Sequence, residues 1–195
     1  MKHRPRTEMI AETRAKLIAA GRAAFGRVGY ADASMDDFTA ECGLTRGALY
    51  HHFGDKKGLL MAVIEQIDAE MTQRLNQLSA QAPTRWQGLI DENVGYIKMA
   101  LEPEIQRIML RDGPAVLGDP SSWPTVPGCV TMISSSIRAL QEDGVVAEMD
   151  PEAAARLIMG SSTIAAQWIA NSDDPEATLE KAVAVFRKML DGLLV

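Results

Sequence analysis

The placement of proline constrains this chain more than any other feature. After Pro5 no proline occurs until Pro83. Proline removes a backbone donor and its ring clashes with the preceding turn, so helices end near it. The long stretch between these two prolines is therefore free to be helical. Beyond it, Pro103, Pro114, Pro120, Pro124, Pro127, Pro151 and Pro175 leave segments of helical length. The spacing predicts helices near 84–101, 103–111, 123–142, 152–171 and 175–192. Upstream, Leu17, Ile18, Phe25 and Val28 recur at helical period, as do Leu60, Val63, Ile64, Ile67 and Met71 in a helix near 56–78. Strand alternation is lacking, and no Asn-Gly or Asp-Gly pair joins two apolar runs. The fold class expected is all-α, with about nine helices: a three-helix N-terminal head and a larger C-terminal bundle. Asp112 to Gly128, rich in Pro and Gly, reads as a loop.

The most specific segment is Ser34 to Lys56, "SMDDFTAECGLTRGALYHHFGDK". It reads as two short helices joined at Gly43. Thr45 suits the N-cap of the second helix, since its hydroxyl can accept from an orphan backbone N–H. That helix presents Arg46, Tyr50, His51 and His52, with Leu49 and Phe53 as apolar anchors. A short helix so polar cannot be mainly core. The pattern fits a helix-turn-helix over 34–53, its second helix entering a DNA major groove. Small Gly47 and Ala48 would let it come close to base edges. The adjacent His51 and His52 point about 100° apart on a helix and do not converge on one ion, so no metal site is expected there.

The run 11–71 resembles the N-terminal DNA-binding domain of the TetR family of bacterial transcriptional regulators. The matching pieces are the aliphatic first helix ending in Gly29-Tyr30, then Ser34, "CGLTRGALYHHF" and Lys56. Cys42 and Phe38 are mild departures from the family pattern. The resemblance implies a DNA-binding head over 1–55 and an effector-binding and dimerisation domain over 56–195. It implies DNA contact by Ser34, Thr45, Arg46, Gly47, Ala48, Tyr50, His51, His52 and Lys56. Lys56 gains weight because a cation at a helix N-terminus opposes the macrodipole, a placement that suggests a task.

Charge supports the division. The whole chain carries −6, yet residues 1–58 carry +3 and the remainder −9. A mildly basic head on an acidic body suits local phosphate contact without general adhesion to nucleic acid. Cys42 and Cys129 do not make a disulfide framework. "MKHRPRTEMI" lacks the apolar run of a signal peptide, and no long apolar window suggests a membrane span. A cytoplasmic location is expected.

The body is less legible. No histidine follows His52, so Ser-His-Asp and Cys-His catalytic sets are unavailable there. No metal-ligand spacing or glycine-rich phosphate loop occurs, and neither cofactor nor enzymatic activity is expected. The large apolar residues can be ordinary core. The resemblance implies instead that some line a cavity for a small apolar effector: Tyr96, Met99, Met109, Trp123, Met132 and Trp168. The stripes after Pro151 and Pro175 are too apolar to face water. They can complete the protomer core; the resemblance implies a homodimer interface from Leu157, Ser161, Ile164, Trp168, Leu179, Val183, Phe186 and Leu190. The expected function is a ligand-responsive repressor that binds a palindromic operator as a homodimer. An activator, an effector-independent DNA binder, a helical-bundle enzyme with a DNA-targeting head, and a sensor using Cys42 and Cys129 are the alternatives.

Overall fold

The computed structural model describes residues 6–195; Met1 to Pro5, with Lys2 and Arg4 of the basic head, lie outside the described residues. The head comprises α1 (Arg6–Val28), α2 (Met35–Glu41) and α3 (Arg46–Phe53). A long helix, α4 (Lys56–Gln81), runs from the head into the body. The body holds α5 (Arg85–Met99), a π-helical segment (Ile105–Asp112), α6 (Gly113–Leu117), α7 (Val126–Glu142), α8 (Pro151–Ala170) and α9 (Pro175–Asp191). Among the described residues the sole β pairing is one bridge between Val146 and Leu194. The chain is all-α.

Short polar side chains start these helices as their residue types dictate. Ser34, Thr45, Asp55, Thr84, Asp150 and Asp174 each accept from the backbone N–H three residues on. Each such cap contributes about 0.5–2 kcal/mol. Pro151 and Pro175 are the first residues of α8 and α9, where a missing N–H costs nothing. Thus two of the prolines that divide the sequence begin helices.

The head closes over Leu17, Phe25, Phe38, Leu49, Leu59 and Leu60, all buried. Phe25 meets Phe38 edge to face at 6.2 Å between ring centroids. Burying side chains of this size contributes about 1.5–3 kcal/mol each, which is how α2 and α3, too short to stand alone, are held. Val28, which recurs at helical period with Leu17, Ile18 and Phe25, is exposed at the end of α1.

Asp112 to Gly128 is more ordered than its Pro and Gly content predicts. It carries α6 and a 3-10 turn at Pro120–Ser122 before α7 begins at Val126. The helix expected at 103–111 is π-helical over Ile105–Asp112, and the Gly113 N–H bonds the Ile108 carbonyl five residues back. Pro114 has no N–H with which to continue an ordinary α-helical ladder. Wide turns of this kind occur often at functional sites.

Candidate nucleic-acid interface and internal cavity

The α2–α3 turn forms as its residues require. Gly43 takes φ +68°, a conformation that glycine adopts without strain. Thr45 Oγ1 accepts from the Ala48 N–H at 3.2 Å and begins α3. Leu49 is fully buried, fixing one side of α3 to the head, while Arg46, Gly47, Tyr50 and His51 are exposed on the other. Ala48 and His52 are half-buried. Arg46 Nη1 pairs with Asp36 Oδ2 at 3.2 Å, and its guanidinium carbon lies 5.9 Å from the centre of the Tyr50 ring. Ser34 is exposed and caps α2 through the Asp37 N–H at 3.3 Å.

Two of these residues have further neighbours. The rings of His51 and His52 lie 5.5 Å apart, edge to face, and no group of three metal-ligating side chains occurs among the described residues. Lys56 is half-buried: Nζ donates to the Ala31 carbonyl at 3.3 Å and sits 4.5 Å over the Tyr30 ring. Burial pushes its ammonium down while Asp32 and Asp112 push it up. Burial wins, so the ammonium sits there at a net cost, held by the Ala31 carbonyl and the Tyr30 ring.

The body encloses a cavity of about 250 Å³ between α4, α5, the π-helical segment, α7 and α8. Of the residues that the resemblance implies for such a cavity, Tyr96, Met109, Trp123 and Met132 line it. Met99 does not. It is buried on the other side of α5, in a groove with Leu78 and Glu102. Trp168 does not either; it is 54% exposed on the outside of α8. Adjacent helical faces diverge by about 100° per residue, and apolar content alone could not tell the inner face from the outer.

Sequence reasoning missed the polar wall. Asp68 and Glu92 line the cavity, with Asn93, Cys129, Ser162, Thr163 and Gln167. Burial raises the carboxyl pKa of both acids; a hydrogen bond to Thr125 partly opposes this at Asp68. Burial, then Asp68 and Glu92, push up the Cys129 thiol. Burial also raises the Tyr96 phenol, which bonds Thr163. The buried Ser162 hydroxyl donates to the Ile158 carbonyl at 2.7 Å. A signal existed: Asp68 is four residues from Ile64, and Glu92 lies between Leu89 and Tyr96 at helical spacing, both acids in an apolar register.

One segment touches head and cavity together. Ile105, Met109 and Leu110 face the cavity. From the same stretch, Glu104 pairs with Arg22, Arg107 Nη1 donates to the Arg27 carbonyl at 3.1 Å, and Asp112 accepts from the Tyr30 N–H at 2.7 Å.

The outer faces of α8 and α9 expose Leu157 (72%), Ile164 (66%), Val185 (59%) and Met189 (55%) along with Trp168. Ser161, Leu179 and Val183 are half-buried beside them. Phe186 and Leu190, expected at an interface, are instead core: only 4% and 2% exposed within the single protomer. They face inward because α9 packs on α8 and α5.

Known proteins share this arrangement. The family profile described as "Bacterial regulatory proteins, tetR family" matches residues 17–63, and that described as "Tetracyclin repressor-like, C-terminal domain" matches 86–193. A crystal structure of a TetR-family transcriptional regulator from Pectobacterium atrosepticum is 54% identical, with TM-score 0.90 over 98% of each chain. The transcriptional repressor AcnR of Corynebacterium glutamicum is 27% identical over 100 residues, 51% of this chain and 52% of AcnR. CymR of Pseudomonas putida is 38% identical over 73 residues, 37% of this chain and 36% of CymR. The chain thus aligns over about half the length, or less, of these curated relatives. RolR, solved in complex with resorcinol, has the same fold at 20% identity, with TM-score 0.73 over 94% of this chain and 90% of that one.

Proposed function

This chain belongs to the TetR family of bacterial transcriptional regulators, and from that premise we propose that it is an effector-controlled repressor acting as a homodimer on a palindromic operator. One observation carries the DNA reading: α3 is anchored by fully buried Leu49 and turns Arg46, Gly47, Tyr50 and His51 outward. Arg46, in its first turn, suits a bidentate contact to a guanine edge. Tyr50, His51, His52 and the capping hydroxyls of Ser34 and Thr45 suit phosphates. Lys56 acts from the α4 N-terminus, held by Ala31 and Tyr30.

The apolar strip of Leu157, Ile164, Trp168, Val185 and Met189 suits a second copy of the chain, because so continuous an exposed face is unfavourable in water. A two-fold axis would set two α3 helices at half-sites about 34–36 Å apart. The cavity would hold the effector; RolR, which has the same fold, was solved in complex with a small molecule, resorcinol. A ligand pressing on Ile105, Met109 or Leu110 would move a segment whose other face holds Arg22, Arg27 and Tyr30 of the head. It shifts the equilibrium only by binding one arrangement better than the other.

Selection of bound sequences from a random DNA pool tests the reading. It should return an inverted repeat, and small apolar molecules should release the protein from it. An unenriched pool would refute sequence-specific binding. Enrichment without release by any ligand would instead favour the effector-independent binder.

A further inference from the structure

Among the described residues the cavity walls carry acids and no base. Asp68 comes from α4 and Glu92 from α5, and Asp119 stands at the exposed rim, where Ser121 N–H already donates to it at 2.8 Å. Among the described residues no Lys, Arg or His lines the cavity. Asp68 and Glu92 line the same cavity as Cys129, and each pushes its thiol up. Asp68 has Thr125 as a partner; Glu92 has no hydrogen bond or ion pair among the described residues. A carboxylate taken from water without a partner is costly, and burial raises the pKa of both acids.

The remaining walls suit a cation with an organic body. Tyr96 and Trp123 supply aromatic surface, which attracts cations through the ring quadrupole. Met71, Met109, Met132 and Met159 supply polarizable, adaptable thioethers. The Trp123 indole N–H is buried and lacks a partner among the described residues; this donor suits an acceptor on the ligand's organic body, not its cationic head. A metal ion fits poorly, since no group of three ligating side chains occurs among the described residues.

Resting on the effector reading of this cavity, we infer that its ligand is a small organic cation, a protonated amine or quaternary ammonium on an apolar or aromatic body, with Asp68 and Glu92 as counter-charges.

Isothermal titration of the full chain with three probes of similar size tests this: phenyltrimethylammonium, its neutral isostere tert-butylbenzene, and benzenesulfonate. At pH 7 the cation should bind about tenfold or more tighter than the isostere, and benzenesulfonate most weakly. Glu92→Gln and Asp68→Asn should each lower affinity for the cation and leave that for tert-butylbenzene unchanged, with thermal melts confirming the fold. Equal or tighter binding of either other probe, or a cation preference untouched by both substitutions, would overturn the cation assignment and leave the cavity reading standing. Failure of all three probes at millimolar concentration would overturn both.

Discussion

The Arg22 guanidinium grips Glu104 through two bonds, Nε to Oε1 at 2.7 Å and Nη2 to Oε2 at 2.8 Å, joining residues 82 positions apart. The same guanidinium holds Glu70 of α4 at 2.7 and 2.8 Å. One side chain of the head thus ties α4 to the stretch that opens the π-helical segment.

Arg22→Ala should cost about 1–2 kcal/mol, the bidentate geometry being tempered by nearby solvent. It should weaken the coupling between effector binding and DNA release more than either binding alone. Arg22 lowers the Glu70 pKa. The pair therefore contributes fully above the ordinary carboxylate range and is lost as pH falls through that lowered value. Acid melts should show the wild type losing stability there, with a smaller loss in the variant.

Arg46→Ala should weaken operator binding by about 1–3 kcal/mol and relax sequence preference at one position. Tyr50→Phe, which would remove the phosphate bond proposed for its hydroxyl, should weaken binding more evenly across sequences. Lys56→Ala should lower the salt slope by about one unit. It should also lower the melting temperature, since Lys56 bonds Ala31 and covers Tyr30. Fluorescence anisotropy over a salt series separates these; unchanged binding in all three variants would remove α3 as the reading helix.

Gly58→Ala should loosen the joint between α3 and α4. A Cβ at this position would collide with the Phe53 carbonyl oxygen, a backbone atom that cannot swing away. Overpacking of this kind costs about 1–3 kcal/mol. Reduced melting temperature and reduced DNA affinity should appear together.

Leu157→Glu and Ile164→Glu should give folded monomers, since both side chains lie outside the protomer core. Sedimentation should then report a mass near 21.2 kDa. Phe186→Ala should instead unfold the chain more readily, by about 3–5 kcal/mol, because it empties a core site. A wild type that sediments as a monomer at micromolar concentration would refute the dimer.

Glu92→Gln should stabilise the ligand-free protein at neutral pH. Burial raises the Glu92 pKa, so the folded state carries a penalty above that value that the unfolded chain escapes. Below the ordinary carboxylate range both states are protonated and the gain should vanish. Melts at pH 7 should show a rise of about 1–3 °C, and melts near pH 3.5 none.

The head was legible in the residues because its determinants are local. Gly43 needs no neighbour to allow a positive φ, Thr45 caps within its own turn, and Leu49 marks the only apolar side of a short polar helix. Periodicity likewise announced helices on both sides of Pro151 and Pro175. What periodicity cannot specify is which of two apolar stripes on one helix meets a neighbour. Packing against α5 and α8 decided that Phe186 and Leu190 turn inward while Val185 and Met189 point out of the protomer. Packing also put Trp168 outside and Asp68 and Glu92 around a common space. The π-helical segment and its reach from Arg22 to the cavity arise the same way. Helix formation follows from chain-local bonds and caps, whereas a cavity exists only where several faces, distant in sequence, fail to close on one another.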